Sequence, residues 1–168
     1  LVHYYLACYH QRAGDQAASE AALDRGASLS EDRVFPNRLE DILVLGFVTE
    51  RRPADKKAWY YLGNLWYDKR QYTEAVACWE RSRALGDPLP TVLRNLAIAC
   101  FNKLDRPSDA LALYEEAFRA NPRDARVLFE LDQLYRRMCR QSGALLRFLD
   151  VHAALVRERD DLYTEYVT

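Results

Sequence analysis

The segment AWYYLGNLWYDKRQYTEAVACWE, residues 58–80, contains the pattern from which we predict the fold. Its first half has the spacing Trp-x2-Leu-Gly-x2-aromatic, and its second half has the spacing Ala-x3-aromatic. These positions are Trp59, Leu62, Gly63, Trp66, Ala75 and Trp79. Apolar residues three and four apart predict two successive amphipathic helices. The run from Gly86 to Pro88 then predicts a helix stop.

Two weaker copies of this pattern follow. The second copy consists of Leu93, Leu96, Ala97, Cys100, Ala110, Tyr114, Ala117 and Pro122. The third copy consists of Leu128, Leu131, Asp132, Tyr135, Ala144, Phe148 and Val151. The opening positions advance by 34 and then 35 residues, and the alanine positions by 35 and then 34. The chain therefore contains an internal repeat.

A repeat of this length and composition resembles the tetratricopeptide repeat, a unit of two antiparallel helices. The resemblance covers residues 58–154 well. It implies an all-α fold, a right-handed α-solenoid of stacked helical hairpins, and a non-enzymatic protein-interaction scaffold. We expect the small residues Gly63 and Ala97 to lie where the two helices of a hairpin cross, because a small side chain lets the backbones approach.

The periodicity and the Pro and Gly positions predict where helices begin and end. Val2, Tyr5, Leu6 and Tyr9 predict a helix over 2–12. The other predicted helices are 15–28, 37–51, 56–69, 71–85, 90–102, 107–120, 124–138, 141–154 and one starting near 159, with a loop over 29–36.

These helices predict one domain over 1–168. Its parts are a divergent hairpin at 1–28, an irregular helix at 37–51, regular repeats at 56–88, 90–122 and 124–154, and a truncated repeat at 159–168. By its distance from Pro53, the helix at 37–51 is predicted to be the second helix of an incomplete repeat. Because the helical pattern continues at both ends, we expect the chain to be a segment of a longer protein.

Composition excludes several classes of function. The chain has 24 basic and 25 acidic side chains, a net charge of −1, so a nucleic-acid partner is not expected. No apolar run approaches the roughly 20 residues that span a bilayer, so no membrane association is expected. His3 and His10 share one predicted helix without evident further ligands, so we expect no metal, and no cofactor motif occurs.

The four cysteines are isolated from one another. They are Cys8, Cys78, Cys100 and Cys139, and no Cys-x2-Cys pair occurs. Within helical patterns, such residues are typical of small apolar core side chains. We therefore expect a reducing compartment and a cytoplasmic protein.

The resemblance also implies a binding face. In tetratricopeptide proteins the first helix of each repeat lines a concave groove that takes a peptide or a partner helix. Here the predicted groove residues are Lys57, Tyr60, Tyr61, Asn64, Tyr67, Asp68, Thr91, Arg94, Asn95, Ile98, Phe101, Asn102, Arg126, Phe129, Glu130, Gln133, Arg136 and Arg137. Amides, aromatic rings and guanidinium groups suit recognition of a peptide. We expect Asn64→Ala with Asn95→Ala to abolish binding and leave the melting temperature nearly unchanged.

A subset of these residues is similar to the repeats that bind chaperone C-termini. Asn64, Asn95 and Arg126 match three of the five polar positions of those repeats. Tyr60 and Glu130 occupy the other two positions, which are basic in that family. A second carboxylate would be repelled by Glu130.

The chain also resembles the C-terminal repeat region of large bacterial proteins. Runs that carry this resemblance include FPNRLEDILVL, residues 35–45, and RDDLYTEYV, residues 159–167. Those proteins have an N-terminal β-rich domain that looks related to carbohydrate-active, mutarotase-like sandwiches. The resemblance implies an alternative function, in which this segment is a structural module docked on the N-terminal domain of its own chain.

Asp132 departs from the repeat, since it stands where Gly63 and Ala97 stand. Three interpretations are open: a helix crossing that is partly wet, an ion pair with Arg136 one turn later, and a contact to a ligand. In the last case, Asp132 or Glu130 could contribute to an enzymatic site completed elsewhere. The sequence has no phosphate loop or nucleophile motif, and we expect no enzyme.

Overall fold

The computed structural model describes residues 1–31, 34–138 and 142–167, apart from the side chains of 142–146, 162 and 165. Every regular element in this part of the chain is a helix. The helices are α1 (Val2–Arg12), α2 (Gln16–Ser28), α3 (Leu39–Arg51), α4 (Lys56–Asp68), α5 (Tyr72–Ala84), α6 (Pro90–Asn102), α7 (Pro107–Ala120), α8 (Ala125–Arg137), α9 (Ser142–Val151), α10 (Ala153–Val156) and α11 (Asp160–Val167).

Acidic N-caps begin several of these helices. Asp15 accepts a hydrogen bond from the backbone N–H of Ala18 at the start of α2. Asp55 and Asp124 each accept two such bonds at the starts of α4 and α8. These carboxylates satisfy backbone donors that have no partner inside the helix.

The chain divides into two compact units, residues 1–92 and 93–168. In the first unit, α1 pairs with α2 and α4 pairs with α5, while α3 packs against α1 and α4. Tyr4, whose ring is buried, links α1 to the start of α4, because its hydroxyl donates a hydrogen bond to Oδ2 of Asp55 at 2.6 Å. The assignment of α3 to the second position of a repeat stays a prediction.

The crossing of α4 and α5 has the predicted small residue. A Cβ atom built on Gly63 would lie 2.5 Å from Cδ1 and Nε1 of Trp79, so only glycine fits against this indole. Trp79 and Ala75, both on α5, are buried. The sequence pattern therefore predicted this packing correctly.

The second unit has its core between α6, α7 and α8. The repeat positions on these helices that are fully or almost fully buried are Leu93, Leu96, Ala97, Cys100, Ala110, Tyr114, Ala117, Leu128 and Leu131. Asp132 is also buried, and its Oδ2 accepts a hydrogen bond from Nε of Arg136 at 2.9 Å. The predicted ion pair with Arg136 is therefore confirmed.

The helix predicted over 141–154 is instead divided at His152. The N–H of His152 bonds to the carbonyl of Leu149, three residues back, which tightens the last turn of α9. The His152 ring packs against Phe118 and Phe148, with ring centroids 4.9 and 5.3 Å away. Val151, a repeat position in the sequence pattern, is 79% exposed.

The predicted burial of the cysteines is confirmed for Cys78 and Cys100. Cys8 is only partly buried. The prediction for Cys139 lies outside the described residues, as does that for the side chain of Ala144.

Candidate functional site

A pocket of about 270 Å³ lies in the second unit, between α6, α7 and α8. We call it the α6–α8 pocket. Its lining residues are Ile98, Phe101, Asn102, Tyr114, Phe129, Glu130, Gln133, Leu134 and Arg137. All but Tyr114 and Leu134 are positions that the sequence placed on the groove face.

Helical spacing explains why these residues meet. Ile98, Phe101 and Asn102 lie three and four residues apart on α6, so they share one face of that helix. Phe129 and Gln133 are four residues apart on α8, and Arg137 is four residues further on. Two helix faces with this spacing form the two walls of the pocket.

Two of the other lining residues are buried apolar or aromatic side chains. Tyr114 comes from α7, and Leu134 lies on the inner side of α8. Burial raises the pKa of Tyr114 above its ordinary value, and the neighbouring Glu130 carboxylate raises it further. The Tyr114 hydroxyl therefore stays protonated in the ordinary pH range and serves as a neutral polar group beside Glu130.

Glu130 is held by two arginines. Nε of Arg94 donates to Oε2 at 2.7 Å, and Nη2 of Arg94 donates to Oε1. Nε of Arg126 lies 3.3 Å from Oε1. The side chains of Glu130 and Arg94 are 19% and 16% exposed, whereas that of Arg126 is 63% exposed. The Arg94–Glu130 pair is thus a fixed, two-bond contact between α6 and α8.

Two guanidinium groups lie over the aromatic side chains of the pocket. The Arg137 guanidinium carbon is 5.4 Å from the centre of the Phe101 ring. The Arg159 guanidinium carbon is 5.2 Å from the centre of the Phe129 ring, and Arg159 also pairs with Asp161. Among the described residues, no carboxylate pairs with Arg137.

In the first unit, the structure corrects the groove prediction for two tyrosines. Tyr60 and Tyr61 are only 7% and 3% exposed, so they offer little surface to a ligand. Their rings pack against each other at 5.4 Å, and Tyr61 packs on Tyr4 at 6.4 Å. They are buried because α4 has neighbours on several sides.

The other predicted groove residues of the first unit also make contacts within the protein. Oδ1 of Asn64 accepts a hydrogen bond from Trp79 Nε1 at 3.1 Å. Lys57 donates to the carbonyl of Leu29. The Tyr67 ring packs on Trp79 at 5.4 Å. Because Asn64 supports the indole, Asn64→Ala is expected to lower stability, contrary to our expectation from the sequence.

Asn95 and Arg126 belong to the second unit but do not line the pocket. Asn95 is half-buried on α6. Arg126 is paired with Glu130, the acidic residue that replaces a basic one in the chaperone-binding pattern. This pair weakens the case for a carboxylate clamp built on Arg126.

A second pocket, of about 250 Å³, lies between α1 and α3 in the first unit, lined among others by Tyr9, Leu43 and Phe47. Val2 and Tyr9, whose spacing predicted the helix α1, are 71% and 61% exposed. The buried residues of α1 are instead Tyr4 and Ala7.

Tyr114, Leu134 and Arg159 belong to the site but were not predicted as binding residues from the sequence. Tyr114 was assigned to the core as the aromatic residue of its repeat, and it both packs in the core and lines the pocket. Arg159 reaches Phe129 from the segment just before α11, a contact between residues far apart in sequence. Only the repeat position of Tyr114 gave a usable signal.

Within the described part of the chain, no group of three or more His, Cys, Asp or Glu side chains is placed to hold a metal. None of the described helices is long and apolar enough to cross a membrane. The α6–α8 pocket is lined by aromatic, aliphatic, amide and charged side chains.

Comparison with known proteins supports the fold. The family model described as "Tetratricopeptide repeat" matches residues 56–86, which are α4, α5 and the turn that follows. A solved structure described as "MamA MSR-1 C2" is similar over 94% of this chain and 97% of its own, with a TM-score of 0.56 and 18% sequence identity. The predicted fold class is therefore confirmed: the chain is all-α, of the α-solenoid class, with tetratricopeptide-type helical hairpins.

Proposed function

We propose that this chain is a non-enzymatic scaffold that binds a peptide segment of a partner protein in the α6–α8 pocket. The observation that carries the proposal is the pocket itself. It brings together seven positions that the repeat pattern assigned to the ligand face: Ile98, Phe101, Asn102, Phe129, Glu130, Gln133 and Arg137.

The size and lining of the pocket support a peptide ligand. Sites for drug-sized molecules usually enclose about 300–1,000 Å³. A pocket of about 270 Å³ is smaller, and suits one or two side chains of a longer ligand. Aromatic rings provide contact area at low entropic cost, and amide and guanidinium groups bond to a peptide backbone or its carboxylates.

A selection experiment tests the proposal. A phage-displayed library of random peptides is selected on the purified 168-residue chain, and calorimetry measures the affinity of enriched peptides. We expect Phe129→Ala to weaken binding by about tenfold or more, because Phe129 forms part of the pocket wall. The control is Phe35→Ala, which removes an exposed phenylalanine of the first unit and should leave affinity unchanged.

The proposal fails if no peptide is enriched, or if Phe129→Ala binds enriched peptides as tightly as the unchanged protein. The docking alternative, in which the partner is a carbohydrate-related domain of the same chain, predicts a different outcome. In that case random peptides do not enrich, and a longer chain with Phe129→Ala shows faster hydrogen exchange in α6 and α8 than the same chain without the substitution.

A further inference from the structure

We propose, on the basis that the α6–α8 pocket is the peptide site, that its ligand is an acidic segment: one large apolar side chain enters the pocket, and an adjacent carboxylate binds Arg137. The inference rests on three features of the pocket: its local charge, the pairing of Glu130, and the position of Arg137 over Phe101.

The charge around the pocket is positive, although the chain as a whole has a net charge of −1. The charged residues around it are those that line the pocket, those that bond to or stack on a lining residue, and the direct partners of these. The set is Arg94, Arg126, Arg137, Arg159, Glu130, Asp161 and Asp124. Four guanidinium groups and three carboxylates leave a local charge of +1. Such a site attracts an acidic ligand and repels a basic one.

Glu130 does not offset this preference. Its carboxylate already accepts two hydrogen bonds from Arg94 and lies beside Arg126. A lysine or arginine of a ligand would have to displace Arg94, which is itself only 16% exposed. Displacement would leave a partly buried guanidinium without its partner, a costly arrangement. The pocket therefore has no carboxylate ready to receive a cation.

Arg137 is the group that receives the carboxylate. It is exposed, it stacks on Phe101 at the pocket wall, and it has no carboxylate partner among the described residues. The ring fixes the plane of the guanidinium group, whose N–H groups match the two oxygens of a carboxylate. Beside it, the half-buried side chains of Ile98, Phe101 and Phe129 provide the apolar contact.

Three labelled peptides of equal length test the ligand class by fluorescence anisotropy. The first has a central phenylalanine between aspartate and glutamate residues, the second has lysines in place of the acids, and the third has alanine in place of phenylalanine. We expect the first to bind at least about tenfold more tightly than either of the others. Its affinity should fall as salt is raised, because screening weakens the charge contact.

Variants then test the role of Arg137. Arg137→Glu should weaken binding of the acidic peptide by about tenfold or more and leave the melting temperature nearly unchanged, since Arg137 is exposed. Arg137→Lys should retain part of the affinity. The matched control is Arg119→Glu, at an exposed arginine of α7 that does not line the pocket, and it should bind like the unchanged protein.

The outcomes separate this inference from the proposed function. If peptides selected from the library are neutral or basic and need Phe129, the pocket binds peptides and the acidic class is wrong. If Arg137→Glu binds the acidic peptide with unchanged affinity, the inferred contact between the peptide carboxylate and Arg137 is wrong. A labelled single-stranded DNA that binds more tightly than the acidic peptide would also overturn the inference. If neither the library nor the acidic peptide binds, the proposed function fails as well.

Discussion

At the scale of single residues, Gly63 decides how closely α4 and α5 approach. We expect Gly63→Ala to destabilise the protein by about 1–3 kcal/mol, because the new Cβ atom would lie 2.5 Å from the Trp79 ring and the indole would have to move. Urea unfolding followed by tryptophan fluorescence and by circular dichroism measures this loss.

Gly46→Ala provides the matched control for that measurement. Gly46 also lies inside a helix, α3, but a Cβ atom there meets nothing within 4 Å. Alanine is a better helix former than glycine, so this variant should be unchanged or more stable by up to about 1 kcal/mol. Equal effects of the two substitutions would show that helix propensity, and not contact with Trp79, determines the result.

The same region shows which single residues a sequence can predict. Gly63, Ala75 and Trp79 were predicted because their sizes must match across one helix crossing, and a repeat preserves that match. Tyr60 and Tyr61 were assigned to a ligand face but are buried. The exposure of a helix face depends on which other helices pack there, and no local pattern of residues contains that information.

At the scale of helices, α3 also shows that the local sequence does not determine which face of a helix is buried. Its start was predicted within two residues, but its buried face was not: Leu39 and Leu43 are 68% exposed, whereas Leu45 and Val48 are fully buried. The helix is apolar on nearly all sides, so its sequence has no polar stripe that would identify the outward face. The buried face of α8 was predicted better, because polar and apolar residues alternate there with a helical period.

A buried carboxylate fixes the start of α3 and links it to α1. Oδ2 of Asp41 accepts the backbone N–H groups of Asn37 and Arg38, and Oδ1 accepts the Tyr5 hydroxyl at 2.7 Å. We expect Asp41→Ala to lower the free energy of unfolding by about 2–3 kcal/mol, because three donors lose their acceptor at a buried position. Thermal and urea unfolding monitored by circular dichroism measure the change.

The comparison for Asp41 is Asp15→Ala at the start of α2. Asp15 is exposed and accepts one backbone bond, from Ala18, so its loss should cost about 1 kcal/mol. If the two alanine variants unfold at the same urea concentration, the contact between Asp41 and Tyr5 contributes nothing measurable. Nothing in the sequence indicated this contact, because Tyr5 and Asp41 are 36 residues apart.

At the scale of the whole molecule, helix order and helix bounds were the most predictable features. Proline and glycine end helices through local backbone geometry, so turns such as the one at Gly86 are readable from the sequence. The division into two compact units at Val92 was not predicted. It falls within α6, where a continuous helical pattern gives no boundary signal.

The stability of the whole molecule should decrease in alkaline solution, because buried or half-buried tyrosines in both units have raised pKa values. Burial, followed by the hydrogen bond to Asp41, raises the pKa of Tyr5 to about 12. Burial raises the pKa of Tyr4 and of Tyr114 above the ordinary value as well. Because the pKa of these tyrosines is higher in the folded state, the unfolded chain loses its tyrosine protons at a lower pH than the folded chain does. The stabilisation is therefore complete below about pH 10 and is lost as pH rises from about 10 to about 12.

Urea midpoints measured at intervals between about pH 8 and about pH 11 test this expectation. The urea midpoint of the unchanged protein should decrease as the pH is raised beyond about 10. Tyr5→Phe should be less stable at about pH 8, since Asp41 loses a hydrogen bond, and its midpoint should fall less steeply with pH because one titrating group is gone. Tyr9→Phe, at an exposed tyrosine of the same helix, is the control and should follow the unchanged protein. If the urea midpoints of Tyr5→Phe and of the unchanged protein decrease in parallel with pH, folding does not raise the pKa of Tyr5.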